Sequence, residues 1–427
     1  MVWLYRLLFL PVMLVLVPGY LLRMRRRGGY GEKFSQRFGA GHRPPPRRPG
    51  VRRVWVQAVS VGEMLAIGPL LQSLTNEGDV EIYLTTTTST GFKLARERYA
   101  GLTIGIGYFP LDWWFFSART WRAVAPDLAI LTEGERWPEH IHQANTRRVP
   151  VLSVNARLSD RSFRRMRRFR WAVQGVLRGM DRVLAGSAHD AERFLELGVR
   201  RDALEVTGNL KLDVTIPRLA DEERETLRRE LGLSPGLVLV GSSTWPGEEE
   251  VLLAAYQKAR DEGIACGLLL VPRHAERRRD VERLLSENGV TSHFRSRGVA
   301  PAIVDVAVGD TTGELQKLAQ LADLVFVGKS LPPNEGGQTP VEAAALGKPI
   351  VFGPRMTNFT PIARELTQSG AAAQVSDAAQ AGREIVALLR SPERRQAMAA
   401  AAVQWHAANA GAVERTVAAI RQWLPQR

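Results

Sequence analysis

Cysteine is nearly missing from this 427-residue chain: Cys266, inside the apolar run CGLLLV, is the only one. A single thiol excludes a disulfide framework and a cysteine metal site within the chain, and it suits a reducing compartment. There is no Asp-x-Asp pair to hold Mg²⁺ on a diphosphate, no Walker A sequence and no GxGxxG. His140 and His142 are too close in sequence for a zinc pair on one helix face. The expectation is chemistry without metal or cofactor. Long apolar runs are scarce as well. The one at residues 7–22 (LLFLPVMLVLVPGYLL) is short for a full membrane span and carries Pro11 and Pro18, so a tilted span and a shallow insertion both stay open.

What is abundant is positive charge. Lys and Arg number 58 against 44 Asp and Glu, a net +14 that points to an anionic partner. Residues 23–27 (RMRRR) follow the apolar run directly, which places the remainder on the cytoplasmic side of a membrane, against anionic head groups. No small-residue cleavage site follows, so the segment reads as an anchor rather than a signal peptide. Residues 161–170 (RSFRRMRRFR) set six arginines among Phe163, Met166 and Phe169, the pattern of a basic amphipathic helix suited to a lipid surface. Nucleic acid is the rival partner, but no recognised nucleic-acid fold accompanies the charge.

Residues 1–27 thus form an anchor with a basic flank, and the Gly-, Pro- and Arg-rich stretch 28–50 a linker. From 51 to 213 apolar strands alternate with helical stretches: VWVQAV, EIYLTTTT, LTIGIGYF, DLAILTE, VPVLSVNA, RVLAGS, LEVTGN. A charged stretch, 214–235, reads as helix and linker. The alternation restarts over 236–400 with LVLVGSS, CGLLLVPRH, AIVDVAV, LVFVGKS and PIVFGP, and an alanine-rich helical end, 401–427, is expected to pack back on the first domain. Two βαβα blocks imply an α/β fold of two Rossmann-like, doubly wound domains.

Ligands of such folds lie at the carboxyl ends of the strands, and the strand-to-helix turns there carry the chemistry. In the first block, Ser60-Val61-Gly62-Glu63 ends a strand and opens a helix. Its free N–H groups can meet a ligand, and Glu63 can act as a general base; as a purely structural unit, Ser60 is an N-cap with Glu63 its capping-box partner. Glu133-Gly134-Glu135 ends another strand, either as acid/base equipment or as a salt-bridged turn. Lys211, in GNLK, can neutralise a leaving phosphate or be one more exposed lysine.

The second block repeats one kind of turn. Gly241-Ser242-Ser243-Thr244 can hold a phosphate or cap a helix. Arg273 and His274 end a strand, where an Arg suits a phosphate. Asp310-Thr311-Thr312-Gly313-Glu314-Leu315 is a good capping sequence. The strongest segment runs from Gly328-Lys329-Ser330 through Gly336-Gly337-Gln338-Thr339-Pro340-Val341-Glu342: a strand end, a Gly-rich loop, then a helix with Thr339 as cap, Pro340 just inside, and Glu342 placed to accept two sugar hydroxyls. This segment resembles the nucleotide-sugar site of two-domain glycosyltransferases.

Taken in order, VSVGE, ILTEGERWP, VLSVNARLSDRS, GNLK, GSSTWPGEEE, VPRH, GDTTGEL and VGKSLPPNEGGQTPVEAAALGKPIVFGP resemble the 3-deoxy-D-manno-octulosonic acid (Kdo) transferases of lipopolysaccharide assembly, nearly end to end. The resemblance implies a GT-B glycosyltransferase of the inner membrane's cytoplasmic face that moves Kdo from CMP-Kdo to a lipid A precursor with inversion. It further implies Glu63 as general base, Glu133 and Lys211 as stabilisers of the transition state, and CMP contacts at Arg273, His274, Gly313, Glu314, Leu315, Thr339, Pro340, Val341 and Glu342. Ser60, Gly62, Ser242, Ser243, Ser330 and Gly337 are secondary candidates.

The chain departs from the family pattern in three places. Gln338-Thr339 stands for His-Asn, Trp245 for a histidine, and EGERWPE for ETELWPN. Two other readings stay open: a GT-B transferase using a UDP-sugar, and a non-catalytic, membrane-tethered binding protein of the same fold.

Overall fold

The computed structural model describes residues 2–27 and 31–425. Residues 28–30 of the expected linker, and the side chains of the basic cluster at 23–27, lie outside that description. The chain forms two compact units, one of residues 1–213 with 411–427 and one of residues 214–410. The stretch read as a linker, 214–235, therefore belongs to the second unit; it holds the helix Asp221–Glu230.

The first unit is built on a parallel seven-stranded sheet: β1 Arg52–Gln57, β2 Val80–Thr86, β3 Gly105–Tyr108, β4 Leu128–Thr132, β5 Val151–Ala156, β6 Arg182–Ala185 and β7 Leu204–Val206. The strand order is β3-β2-β1-β4-β5-β6-β7. The central strands are buried on both faces, as a parallel sheet covered by crossover helices requires, which is why they read as apolar runs without alternation. Val54, Val56, Ile82 and Leu84 pack on one side with Met64, Ile67, Leu70 and Leu71 of the helix Val61–Thr75. The closing helix Ala412–Arg421 joins that same core through Val417 and Ile420.

The second unit repeats the plan: β8 Leu237–Thr244, β9 Cys266–Pro272, β10 Ser292–Phe294, β11 Val306–Val308, β12 Leu324–Val327, β13 Ile350–Phe352 and β14 Ala372–Gln374. Its order is β10-β11-β9-β8-β12-β13-β14, again parallel. The edge strands β10 and β14 have no counterpart in the sequence reading. Their residues, Ser-His-Phe and Ala-Ala-Gln, lack the run of large apolar side chains that marks the equally short β11 and β13.

The N-terminal residues form a helix, Val2–Arg27. Among the described residues no helix is long and apolar enough to cross a membrane. The first turns of the N-terminal helix instead dock on the first unit. Arg6 makes a two-pronged pair with Glu139, 2.8 Å on each arm, and Glu139 is fully buried. The Tyr5 hydroxyl donates to Asp112 at 2.6 Å, and Phe9 stacks on Trp113. Burial pushes the Asp112 carboxyl up to about 7, against hydrogen bonds from Tyr5 and from the Glu139 and His140 N–H groups.

Candidate functional site

In the first sheet the chain works outward from β1 to β3 and resumes with β4 on the other side of β1; in the second it works outward from β8 to β10, returns to insert β11 between β9 and β10, and resumes with β12 on the other side of β8. The loops leaving such a pair diverge to opposite faces and open a crevice at the strand ends. The strongest candidates fall at these two places.

After β1, Ser60 caps the helix Val61–Thr75, its hydroxyl accepting the Glu63 N–H at 3.3 Å. The Glu63 carboxylate folds back over the turn. Its Oε2 accepts the Val59 N–H at 2.9 Å and the Thr132 hydroxyl at 2.8 Å, while Oε1 accepts, among the described residues, only the Ser60 hydroxyl at 3.1 Å. The capping box is thus shifted by one residue, and Thr132, which the sequence reading passed over, ties the β1 turn to the end of β4. A carboxylate oxygen takes two donors, so Oε1 keeps a lone pair for a proton. Val61 and Gly62 are exposed beside it.

Directly after Thr132, Glu133 adopts a left-handed backbone (φ 47°) and turns its carboxylate onto Lys211, Oε1 to Nζ 2.5 Å. Asn155, another left-handed residue at the end of β5, reaches the same oxygen at 3.4 Å and accepts the Leu210 N–H at 3.1 Å. The structure therefore brings Glu133 and Lys211 together as a pair, with Asn155 fixing both loops. Left-handed backbone at these two strand ends is the kind found at working sites. Glu135 is pushed up to about 7, first by burial; the nearby Glu63 charge adds to this, and the Trp137 indole N–H that it accepts opposes it.

The second unit's crevice is built differently. Glu248 is fully buried as the first residue of the helix Glu248–Asp261, and its carboxylate takes four backbone N–H groups: Trp245 at 2.9 Å and Lys329 at 2.7 Å on Oε2, Ser330 at 2.8 Å and Leu331 at 3.1 Å on Oε1. The β8 and β12 loops are locked to each other through this one side chain. Gly328 lets them touch, since a Cβ there would meet the Ser243 carbonyl oxygen at 2.3 Å. Above them, Lys329 Nζ lies 4.4 Å from the centre of the Trp245 ring, and His274 meets that ring edge-on at 5.3 Å. Trp245, where the family pattern has histidine, is thus the meeting point of three candidate loops.

The remaining candidates divide. Arg273 and His274 are exposed at the end of β9. Gly313 (φ 88°) faces open space ahead of the four-residue helix Leu315–Leu318. The Glu314 carboxylate is committed to Thr311 and to Arg295 at 3.6 Å, so this turn offers backbone rather than charge. Thr339 accepts the Val341 N–H at 3.3 Å, but the helix is Val341–Ala345 with Pro340 as its N-cap, one residue later than the sequence reading placed it. Glu342 accepts from Gln316 at 2.9 Å through Oε1, which joins this turn to the Gly313 turn. Ser330 is fully buried; its hydroxyl donates to the Val327 carbonyl at 2.6 Å and accepts the Gly353 N–H at 2.9 Å, so it serves the loop itself. Gly337 (φ 71°) donates to the Lys329 carbonyl, and Ser243 is left-handed (φ 53°) beside the buried Ser242. Arg277 holds the buried Glu249 with two contacts, 2.7 and 3.1 Å.

Residues 161–170 do not form one helix. The helix Asp160–Arg168 breaks at Phe169, and the helix Arg170–Leu177 follows. Among the described residues no cluster of three or more His, Cys, Asp or Glu is arranged to hold a metal ion.

Comparison with known proteins places this geometry. A family model described as 3-deoxy-D-manno-octulosonic-acid transferase (kdotransferase) matches residues 32–214. The 3-deoxy-D-manno-octulosonic acid transferase of Bordetella pertussis is 37% identical over 414 residues, 94% of this chain and 94% of that protein. The enzyme of the same description from Haemophilus influenzae is 31% identical, covering 98% and 95%. Among solved structures, UDP-GlcNAc 2-epimerase from Neisseria meningitidis, bound to UDP-GlcNAc, aligns with a TM-score of 0.56 over 87% of this chain and 99% of that one, at 14% identity. That likeness concerns the fold, two Rossmann-like domains of the GT-B type.

Proposed function

The chain belongs to the family of 3-deoxy-D-manno-octulosonic acid transferases, and on that premise we propose that Glu63 is the general base of a metal-independent Kdo transfer from CMP-Kdo to a lipid A precursor. One observation carries the assignment. Glu63 stands where the first sheet reverses, held by Val59, Ser60 and Thr132, with an Oε1 lone pair uncommitted. That oxygen takes the proton from an acceptor sugar hydroxyl. The hydroxyl oxygen bonds to the anomeric carbon of Kdo, and the bond from that carbon to the phosphate oxygen breaks, its electron pair leaving with CMP. Attack opposite to the leaving group inverts the anomeric centre. The Glu133–Lys211 pair sets a cation where negative charge develops.

The donor is held on the second unit by the turns at Arg273–His274, Gly313–Leu315 and Thr339–Glu342. A monophosphate leaving group carries less charge than a diphosphate, which fits turns made of backbone N–H groups and one arginine. The protein works at the cytoplasmic face of the inner membrane. Tyr5 and Arg6, bound to buried carboxylates of the first unit, hold the first turns of its N-terminal helix against the protein, which supports a helix seated at the bilayer surface. The test is to incubate the protein with CMP-Kdo and a tetra-acylated lipid A precursor and weigh the products. Mass increments of whole Kdo units are expected. Tighter binding of UDP than of CMP would sink the donor assignment in favour of a UDP-sugar transferase.

A further inference from the structure

The N-terminal helix forms one wall of an apolar groove of about 420 Å³. Leu4 and Leu8 line it on that side; Met166, Phe169, Trp171 and Val173 line it on the other. The wall is fixed, because Arg6 and Tyr5, on the same turns, are tied to the buried Glu139 and to Asp112. Leu8, Phe169 and Trp171 are each more than half exposed, an outlay of apolar surface that a water-soluble ligand would not explain.

Charge surrounds the groove on one side. Arg161, Arg164, Arg165, Arg168 and Arg170 are exposed and, among the described residues, have no ion-pair partner. Arg136, where the family pattern has leucine, also lines the groove. Its guanidinium is held by the carbonyls of Glu133, Gly134 and Arg157 and lies 4.8 Å from the Phe194 ring, and its buried Nε–H has no partner. Arg136 also follows Glu133 and Glu135 in the same loop, so the groove adjoins the catalytic loop.

We propose that this groove receives one acyl chain of the lipid acceptor, with the exposed arginines facing the acceptor's anionic groups and Arg136 donating to the carbonyl oxygen by which the chain is attached. The assignment rests on the acceptor being an acylated anionic sugar. An apolar slot beside unpaired arginines is complementary to an amphiphile of that kind. A membrane-inserting surface needs only the exposed apolar residues. A slot of about 420 Å³ with a pinned wall and a guanidinium in its lining is suited to a single chain.

The test compares two acceptors without vesicles or micelles: a short-chain acylated disaccharide phosphate below its aggregation concentration, and the same sugar fully deacylated. The wild-type protein should show a kcat/KM about thirtyfold or more higher on the acylated acceptor, the effect of burying a few methylenes. Ala172→Trp, which fills the groove, and Phe169→Ala, which opens it, should each reduce that ratio about tenfold and leave kcat/KM on the deacylated acceptor unchanged. A ratio unmoved by both variants, or an equal loss on both acceptors, overturns the proposal. Wild-type transfer at equal efficiency to both acceptors overturns the groove alone. No transfer from CMP-Kdo to either overturns the functional reading on which it stands.

Discussion

The two crevices occupy equivalent places in equivalent sheets and are built from opposite materials. In the first unit the candidates are side-chain ends: Glu63, Glu133 and Lys211 present charge, and Glu133 sits on left-handed backbone beside Lys211. In the second unit the candidate ligands are mostly backbone, and the decisive charge, Glu248, is hidden beneath the loops it organises. Proton removal needs a group whose basicity can be set, which backbone cannot supply. Holding a phosphate ester needs several N–H groups in a fixed arrangement, which loops supply if something stops them moving.

The sharpest way to break this contrast is Glu63→Gln. The amide keeps the shape and can still accept from Thr132, but it cannot take a proton. Turnover should fall about a thousandfold, within the range for loss of a general base, while CMP affinity measured by calorimetry stays within about twofold. Near-full turnover would falsify the base assignment. A large loss of CMP affinity would show that the two crevices do not divide the labour as described.

Next in size is Glu248→Ala. Four backbone N–H groups lose their acceptor in a buried place, a loss of about 4 kcal/mol in stability. The released loops should weaken CMP binding at least tenfold, with kcat at saturating donor nearly intact. Thermal melts and CMP titration measure both effects, with Glu248→Gln as the milder variant that keeps one acceptor oxygen. A variant that binds CMP normally would show that the loops hold their form without the staple.

These residues also mark where the sequence was legible. An apolar run, a turn of small residues and a helix signal were enough to locate every turn that carries a candidate, because all three signals are local. Position within the turn was less secure. Pro340 fits the first helical residue by its missing N–H, yet the backbone places it one position earlier, where the Thr339 hydroxyl already serves Val341. Pairings across the chain were not legible. Glu248 and Glu249 look like the acidic opening of a helix, and nothing nearby announces that one gathers a loop eighty residues on or that the other needs Arg277. Tyr5 and Arg6 sit beside an apolar run that suggested only lipid, and their partners are more than a hundred residues away. Residues 161–170 kept helical spacing across a break at Phe169 that spacing alone does not show.

The smallest effect separates the buried Glu248 from the partly buried Glu135 by how well each charge is met. Burial raises Glu248, but four N–H groups oppose it. Glu135 has the Trp137 indole, the Arg136 charge and Gln57, which do not offset burial and the nearby Glu63 charge, and it is pushed from 4.5 up to about 7. A carboxyl raised in the folded state binds its proton more tightly there than in the unfolded chain. Its contribution to stability is therefore complete below about pH 4.5 and is lost as pH climbs through about 7. Glu135→Gln removes that loss. The variant should melt at nearly the wild-type temperature at pH 5 and several degrees higher at pH 8, the gap opening between those values. Melting curves that stay parallel across the range would mean that Glu135 is ionised without penalty. The first crevice would then hold its carboxylates as comfortably as the second holds Glu248, and the contrast between them would rest on geometry alone.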